Sequence, residues 1–135
     1  MQVSRELDYA MRAILVLSVY DGEVLSKRKI AEQLDIPVNF LAIILPKLVH
    51  SKLVESISGP KGGYRLAKSA SNISMMDVIN SIDKSFAFNR CLDLAKGCKH
   101  ENICPVKPHW RKVQDDVEKY LQVVTFDSLA KEYAH

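Results

Sequence analysis

A mainly α-helical fold with one small β hairpin is predicted for this chain of 135 residues. Three observations predict it. Apolar residues recur at helical spacing through most of the first fifty positions, a glycine-rich string separates two short β-prone runs, and a long amphipathic stretch lies near the C-terminus. Hydrophobic residues make up 47% and charged residues 26%, the balance of a soluble globular protein. The length suits one domain with a small appendage and is enough to bury a core without disulfide or metal staples.

Each element has a local reason. Leu7, Ala10, Met11, Ile14, Leu15 and Leu17 predict an amphipathic helix over about 5–20, ended by Asp21-Gly22. Ser26 is placed to cap a second helix, Lys27 to Leu34, with Ile30, Ala31 and Leu34 inward. After a turn at Asp35-Ile36, Pro37 suits the first turn of a third helix that runs to about Ser51. Leu41, Ile44, Leu45, Leu48 and Val49 form its inner side, and Pro46 within it predicts a kink or a local water. Residues 53–57 and 64–66 read as two strands joined across 58–63. Ser74 opens a short helix, Met75 to Ile82, and no period holds from Lys84 to Lys107. Trp110, Val113, Val117, Tyr120 and Val124 then follow at 3-4-3-4 spacing, the seam of a packed or dimerising helix, before a last short turn from Asp127 to Tyr133. No internal repeat is present.

The net charge of +3 is unevenly placed: residues 26–68 hold 8 Lys/Arg against 3 Asp/Glu, while 69–135 hold 9 of each. Three helices followed by a hairpin, with the second and third helices and the hairpin inside the basic segment, form the pattern of a winged helix-turn-helix. A helix in the major groove presents its first turns to base edges while the hairpin tip reaches the neighbouring groove or backbone. Val38, Asn39 and Ala42 would then face bases, Asn39 being able to pair bidentately with adenine, although Asn is also a common helix-start residue. Lys27, Arg28, Lys47 and His50 would lie near phosphates. Lys61 would enter a minor groove, with Gly59, Gly62 and Gly63 permitting close backbone approach.

Cys91, Cys98 and Cys104 fall within fourteen residues of the aperiodic stretch. An odd number cannot pair completely within the chain, and the spacing is wider than the C-x2-C of zinc ribbons. Thiolates in a flexible loop can wrap an iron–sulfur cluster, leaving one position for another ligand: Asp8, His100 or His109, with Glu101 and Glu6 less suited. Incidental thiols, a zinc site completed by His100 or His109, and a thiol switch at Cys98, flanked by Lys96 and Lys99, stay open.

Taken together, the chain resembles the IscR/NsrR/CymR family of bacterial winged-helix regulators (the Rrf type) over essentially its full length. The residues that carry the resemblance are Leu7-Asp8-Tyr9-Ala10 with Arg12, Ile30-Ala31-Glu32, Phe40-Leu41 and Leu45-Pro46-Lys47-Leu48. Gly59-Pro60-Lys61-Gly62-Gly63-Tyr64 in the wing, Ile79, Ile82-Asp83, the three cysteines and Trp110 complete it. The resemblance implies a homodimeric transcription factor, most simply a repressor, on a roughly palindromic DNA operator, with Tyr64 counted in the wing interface. It implies pairing of the helix at about 108–124 with its two-fold mate, and Cys91, Cys98 and Cys104 as ligands of a cluster that senses nitric oxide, redox state or cluster supply. Where IscR-like members place a histidine ligand, this chain has Lys107; where NsrR-like members place an acid from the partner's first helix, it has Asp8. Asp8 of the partner is therefore the expected fourth ligand, with His109 as runner-up, and an oxygen ligand favours a 4Fe-4S over a 2Fe-2S cluster. Ala42 stands where some members carry a glutamate that rejects certain operators, which implies a different DNA preference.

The expected organisation is a DNA-binding unit at 1–68, a connecting helix and cysteine loop at 69–107, and a dimerisation helix with a C-terminal turn at 108–135. No P-loop, dinucleotide fingerprint or nucleophile–base pair points to an enzyme. The apolar runs Ala13–Val19 and Phe40–Leu45 are too short to span a membrane, and nothing at the start reads as a signal peptide, so a cytoplasmic protein is expected. The alternative is a regulator of the same fold without a cluster, controlled by a thiol switch, zinc or a partner protein.

Overall fold

Serine caps set where several of the helices begin. The computed structural model describes residues 3–83, Ala87 and 104–133. Helix α1 (Arg5–Val19) starts at Ser4, whose hydroxyl accepts from the Leu7 amide at 3.1 Å, and Glu6 and Asp8 occupy its first turn, where the helix dipole favours them. Helix α2 (Lys27–Leu34) starts in the same way at Ser26, with Lys29 N–H as donor at 3.1 Å. It ends at Asp35 in the left-handed region (φ 52°). Helix α3 (Val38–His50) follows Pro37, which sits just outside the helix as its N-cap.

Pro46 lies inside α3, and the helix is continuous through it. Proline removes the bond to the carbonyl four residues back, that of Ala42. Both residues are exposed, so water can satisfy that carbonyl. Strands β1 (Val54–Ile57) and β2 (Gly63–Leu66) pair antiparallel, Val54 opposite Leu66 and Ile57 opposite Gly63. Beyond the two expected strands, Leu25 bridges to Tyr64 through both backbone bonds, at 2.9 and 2.7 Å. The segment before α2 thereby acts as a third, one-residue strand and ties the wing to the helices.

A 3-10 turn (Ala70–Asn72) leads to α4 (Met75–Ile82), opened by a reciprocal capping box between Ser74 and Asp77. Helix α5 spans Lys107–Val123 and packs on α4. Val124, expected within the helix, instead follows it in extended conformation, and its carbonyl accepts from Met75 N–H at 2.9 Å. The last segment is not a turn but a two-turn helix, α6 (Phe126–Tyr133), packed on α1 and the 3-10 turn. Phe126 is 1% exposed, and its N–H donates to Ile73 O at 3.0 Å. A buried aromatic of this size gives a short helix its reason to form, since two turns are marginal alone.

One core runs through Leu7, Ile14 and Leu17 of α1, Ile30 of α2, Leu41 to Leu48 of α3, Val54, Ile73, Val78 and Phe126. The core thus crosses position 68 and takes in the C-terminal helix. Ser18, buried within it, donates to Ile14 O at 2.6 Å. No described helix is long and apolar enough to cross a membrane.

Candidate nucleic-acid interface and cysteine segment

Helix α3 has two opposed faces. Leu41, Ile44, Leu45 and Leu48 are sealed in the core, while Val38, Asn39, Ala42, Ile43, Pro46, Lys47 and His50 are exposed. At 100° per residue, Asn39, Ile43, Pro46 and His50 form the ridge of the outer face, with Val38 and Ala42 on one flank and Lys47 on the other. Ile43, which the sequence reading left out, is 54% exposed on that ridge. The helical period that identified Leu41 and Ile44 as inward puts Ile43 outward, so the signal was available. An outer face of small, apolar and amide side chains suits base edges: Asn for adenine, aliphatic groups for the thymine methyl.

The expected phosphate contacts have differing surroundings. Arg28 is exposed and paired with Glu32, one turn on, at 3.2 Å. Lys27 is half-buried at the start of α2, and His50 is exposed at the last turn of α3. Lys47 is bonded to Glu6 of α1. Beside them, the Lys29 ammonium lies 5.6 Å from the centre of the Tyr20 ring, a cation–π contact.

In the wing, Lys61 is exposed at the tip, and Arg65 pairs with Glu55 across the strands. Gly62 and Gly63, expected to permit close approach to DNA, have a steric requirement within the wing itself. A Cβ on Gly62 would lie 2.1 Å from Ile57 O, and one on Gly63 would lie 2.2 Å from Leu25 O. The wing's own backbone therefore requires both. Tyr64 is half-buried, packs on the core and carries the bridge to Leu25, so it anchors the wing from within.

Of the expected ligands, Cys91 and Cys98 lie outside the described residues, as do His100 and Glu101. Cys104 is a half-buried free thiol shortly before α5. His109 is exposed in the first turn of α5, and Lys107 is buried. Asp8 sits on the side of α1 turned away from its core line of Ala10, Ala13 and Leu17, and pairs with Arg12 at 3.2 Å. Among the described residues, no three His, Cys, Asp or Glu side chains lie together as a metal site.

Helix α5 buries only Lys107 and Gln114, the latter donating to Glu118 at 2.9 Å. On the expected seam, Trp110, Val117 and Val124 are half-buried, while Val113 and Tyr120 are exposed, Tyr120 to 67%. Val123, outside that seam, is 75% exposed.

Three helices, a hairpin wing and an exposed α3 define a winged helix-turn-helix protein of the DNA-binding regulator class. Residues 3–132 match Rrf2, the iron-dependent transcriptional regulators, and the chain belongs to that family. It is 31% identical over 130 residues to the HTH-type transcriptional regulator IscR of Pectobacterium carotovorum, an alignment covering 96% of this chain and 79% of that one. The fold is similar to CymR, the global cysteine regulator of B. subtilis, with a TM-score of 0.83, 24% identity and 98% coverage of both chains. It is also similar to T. potens IscR, with a TM-score of 0.79 and 26% identity over 98% of this chain and 88% of that one. These are transcriptional regulators rather than enzymes.

Proposed function

We propose that the protein is a homodimeric transcriptional repressor whose affinity for a roughly palindromic operator is set by an iron–sulfur cluster. The observation that carries the DNA half is the exposed outer face of α3, bordered by Lys47 and His50, beside a wing with Lys61 at its tip. Two-fold symmetry in the protein would be mirrored in its operator. The apolar residues that α5 leaves outward, Val113 and Tyr120 above all, supply a surface for the second copy.

The cluster half rests on the three thiols and on membership in a family of iron-dependent regulators. The donor set is compatible: Cys104 is free and partly accessible, and Asp8 points away from its own chain's core, as a ligand donated to a partner must. Its exposed pair with Arg12 is a weak competitor, since such pairs contribute about 0.3–0.5 kcal/mol. When bound, a cluster supplies iron that reacts with nitric oxide or oxygen, or that is lost when supply fails. In this reading Cys91, Cys98 and Cys104 hold it, Asp8 of the partner rather than His109 completes it, and four irons are favoured over two.

The test is an anaerobic visible spectrum with iron and sulfide analysis of wild type, Cys98→Ala and Asp8→Ala. A broad visible band lost in Cys98→Ala is expected, with the iron count choosing the nuclearity. An Asp8→Ala protein whose spectrum and nitric-oxide response match wild type would remove Asp8 from the ligand set. A colourless wild type after anaerobic reconstitution would move the cysteines to thiol or zinc chemistry and leave DNA binding standing.

A further inference from the structure

The ion pair between Glu6 and Lys47 differs from its neighbours. Arg12–Asp8, Arg28–Glu32 and Lys112–Asp116 join residues four apart on one helix. Lys47–Glu6 spans 41 positions and joins the first turn of α1 to the last turn of α3. Glu6 continues the inward line Ala10–Ala13–Leu17, so its carboxylate is delivered to α3 at the point where that line leaves the core. Both side chains are partly sheltered, Lys47 44% and Glu6 33% exposed, unlike Arg28 at 86%. The seam is fixed a second time nearby, where Tyr9 and Phe40 meet edge to face at 5.1 Å.

Lys47 stands at the margin of the outer face of α3, where a long cationic side chain reaches phosphates flanking a groove. Its ammonium cannot fully serve a carboxylate and a phosphate at once, and the carboxylate itself repels the phosphate. We propose that Glu6 is an intramolecular competitor for DNA: it withholds Lys47 from the backbone and sets the affinity of the α3 surface below what Lys47 would otherwise give it. Lys47 and His50 also border a solvent-accessible cleft of about 840 Å³ between the ends of α3 and α4. Releasing Lys47 from Glu6 therefore needs a side-chain rotation and no repacking of the core.

The inference rests on the DNA-facing reading of α3, and the experiment separates the two. Binding of a mixed-sequence DNA duplex is measured by fluorescence anisotropy across a salt series for wild type, Glu6→Gln, Lys47→Gln and the double variant, each with a melting curve. Glu6→Gln keeps the size of the side chain and is expected to fold as wild type. It should bind about threefold tighter at low salt and steepen the log–log salt slope by ~0.9, the signature of one more neutralised phosphate. Lys47→Gln alone should leave the slope unchanged, and in the Glu6→Gln background it should cancel the gain. Equal slopes for wild type and Glu6→Gln, or a Lys47→Gln slope shallower by a full phosphate, would overturn the competitor role while leaving DNA binding intact. Salt-insensitive binding by all four proteins would overturn both.

Discussion

Helices α1 and α5 are nearly equal in length and opposite in how they are stabilised. Over 15 residues, α1 buries Leu7, Ala10, Ala13, Ile14, Val16, Leu17 and Ser18 against the chain's own core. Over 17 residues, α5 buries only Lys107 and Gln114, and turns Val113, Tyr120 and Val123 to solvent. A surface helix normally hides its apolar stripe. That α1 does so and α5 does not separates a helix completed by its own chain from one that leaves apolar side chains open, the surface that the homodimer proposal gives to a second copy. The lone α6, half the length of α1, belongs with α1: Phe126 makes it part of the same core.

The contrast can be broken most forcefully on the α1 side. Phe126→Ala should cost about 3–5 kcal/mol in urea denaturation, the usual loss for deleting a sealed aromatic. A loss below about 1 kcal/mol would mean that α6 docks without holding the core. On the α5 side, Tyr120→Ser should hardly change the stability of the isolated chain. It should weaken self-association by about 1.5–3 kcal/mol, the value of one large apolar side chain buried. Sedimentation equilibrium reads this directly, and an unchanged dimer constant would place the two-fold contact elsewhere.

The smallest effect sharpens the junction between α5 and α6. The Thr125 hydroxyl bonds to the Asp127 carboxylate and holds its pKa below the ordinary 3.8. A lowered folded pKa contributes stability that is complete above 3.8 and disappears as pH falls through the folded value. Wild type and Thr125→Val should therefore differ slightly in melting temperature at neutral pH and converge in acid below that range. A difference that persists undiminished in strong acid would assign the effect to packing of Thr125 instead.

Local chemistry was legible in the sequence. Ser26 and Ser74 each announce a helix through a side-chain oxygen placed for an amide three residues on, and α2 and α4 have the predicted bounds. The outer face of α3 follows from its period, which places Ile43 outward beside Asn39. The glycines of the wing were visible as glycines, but their reason was not. Only the folded chain brings Leu25 O within reach of Gly63.

The family, the winged helix-turn-helix, the three cysteines and the exposed ridge of α3 were thus set by residue order alone, because caps, periods and motif spacings act over a few positions. Three features were decided only by tertiary structure: Leu25 as a strand of the wing, Phe126 as a core residue, and Glu6 as the partner of Lys47. Each depends on contacts between segments separated by tens of residues. No local pattern in the chain encodes which distant backbone or charge will arrive there.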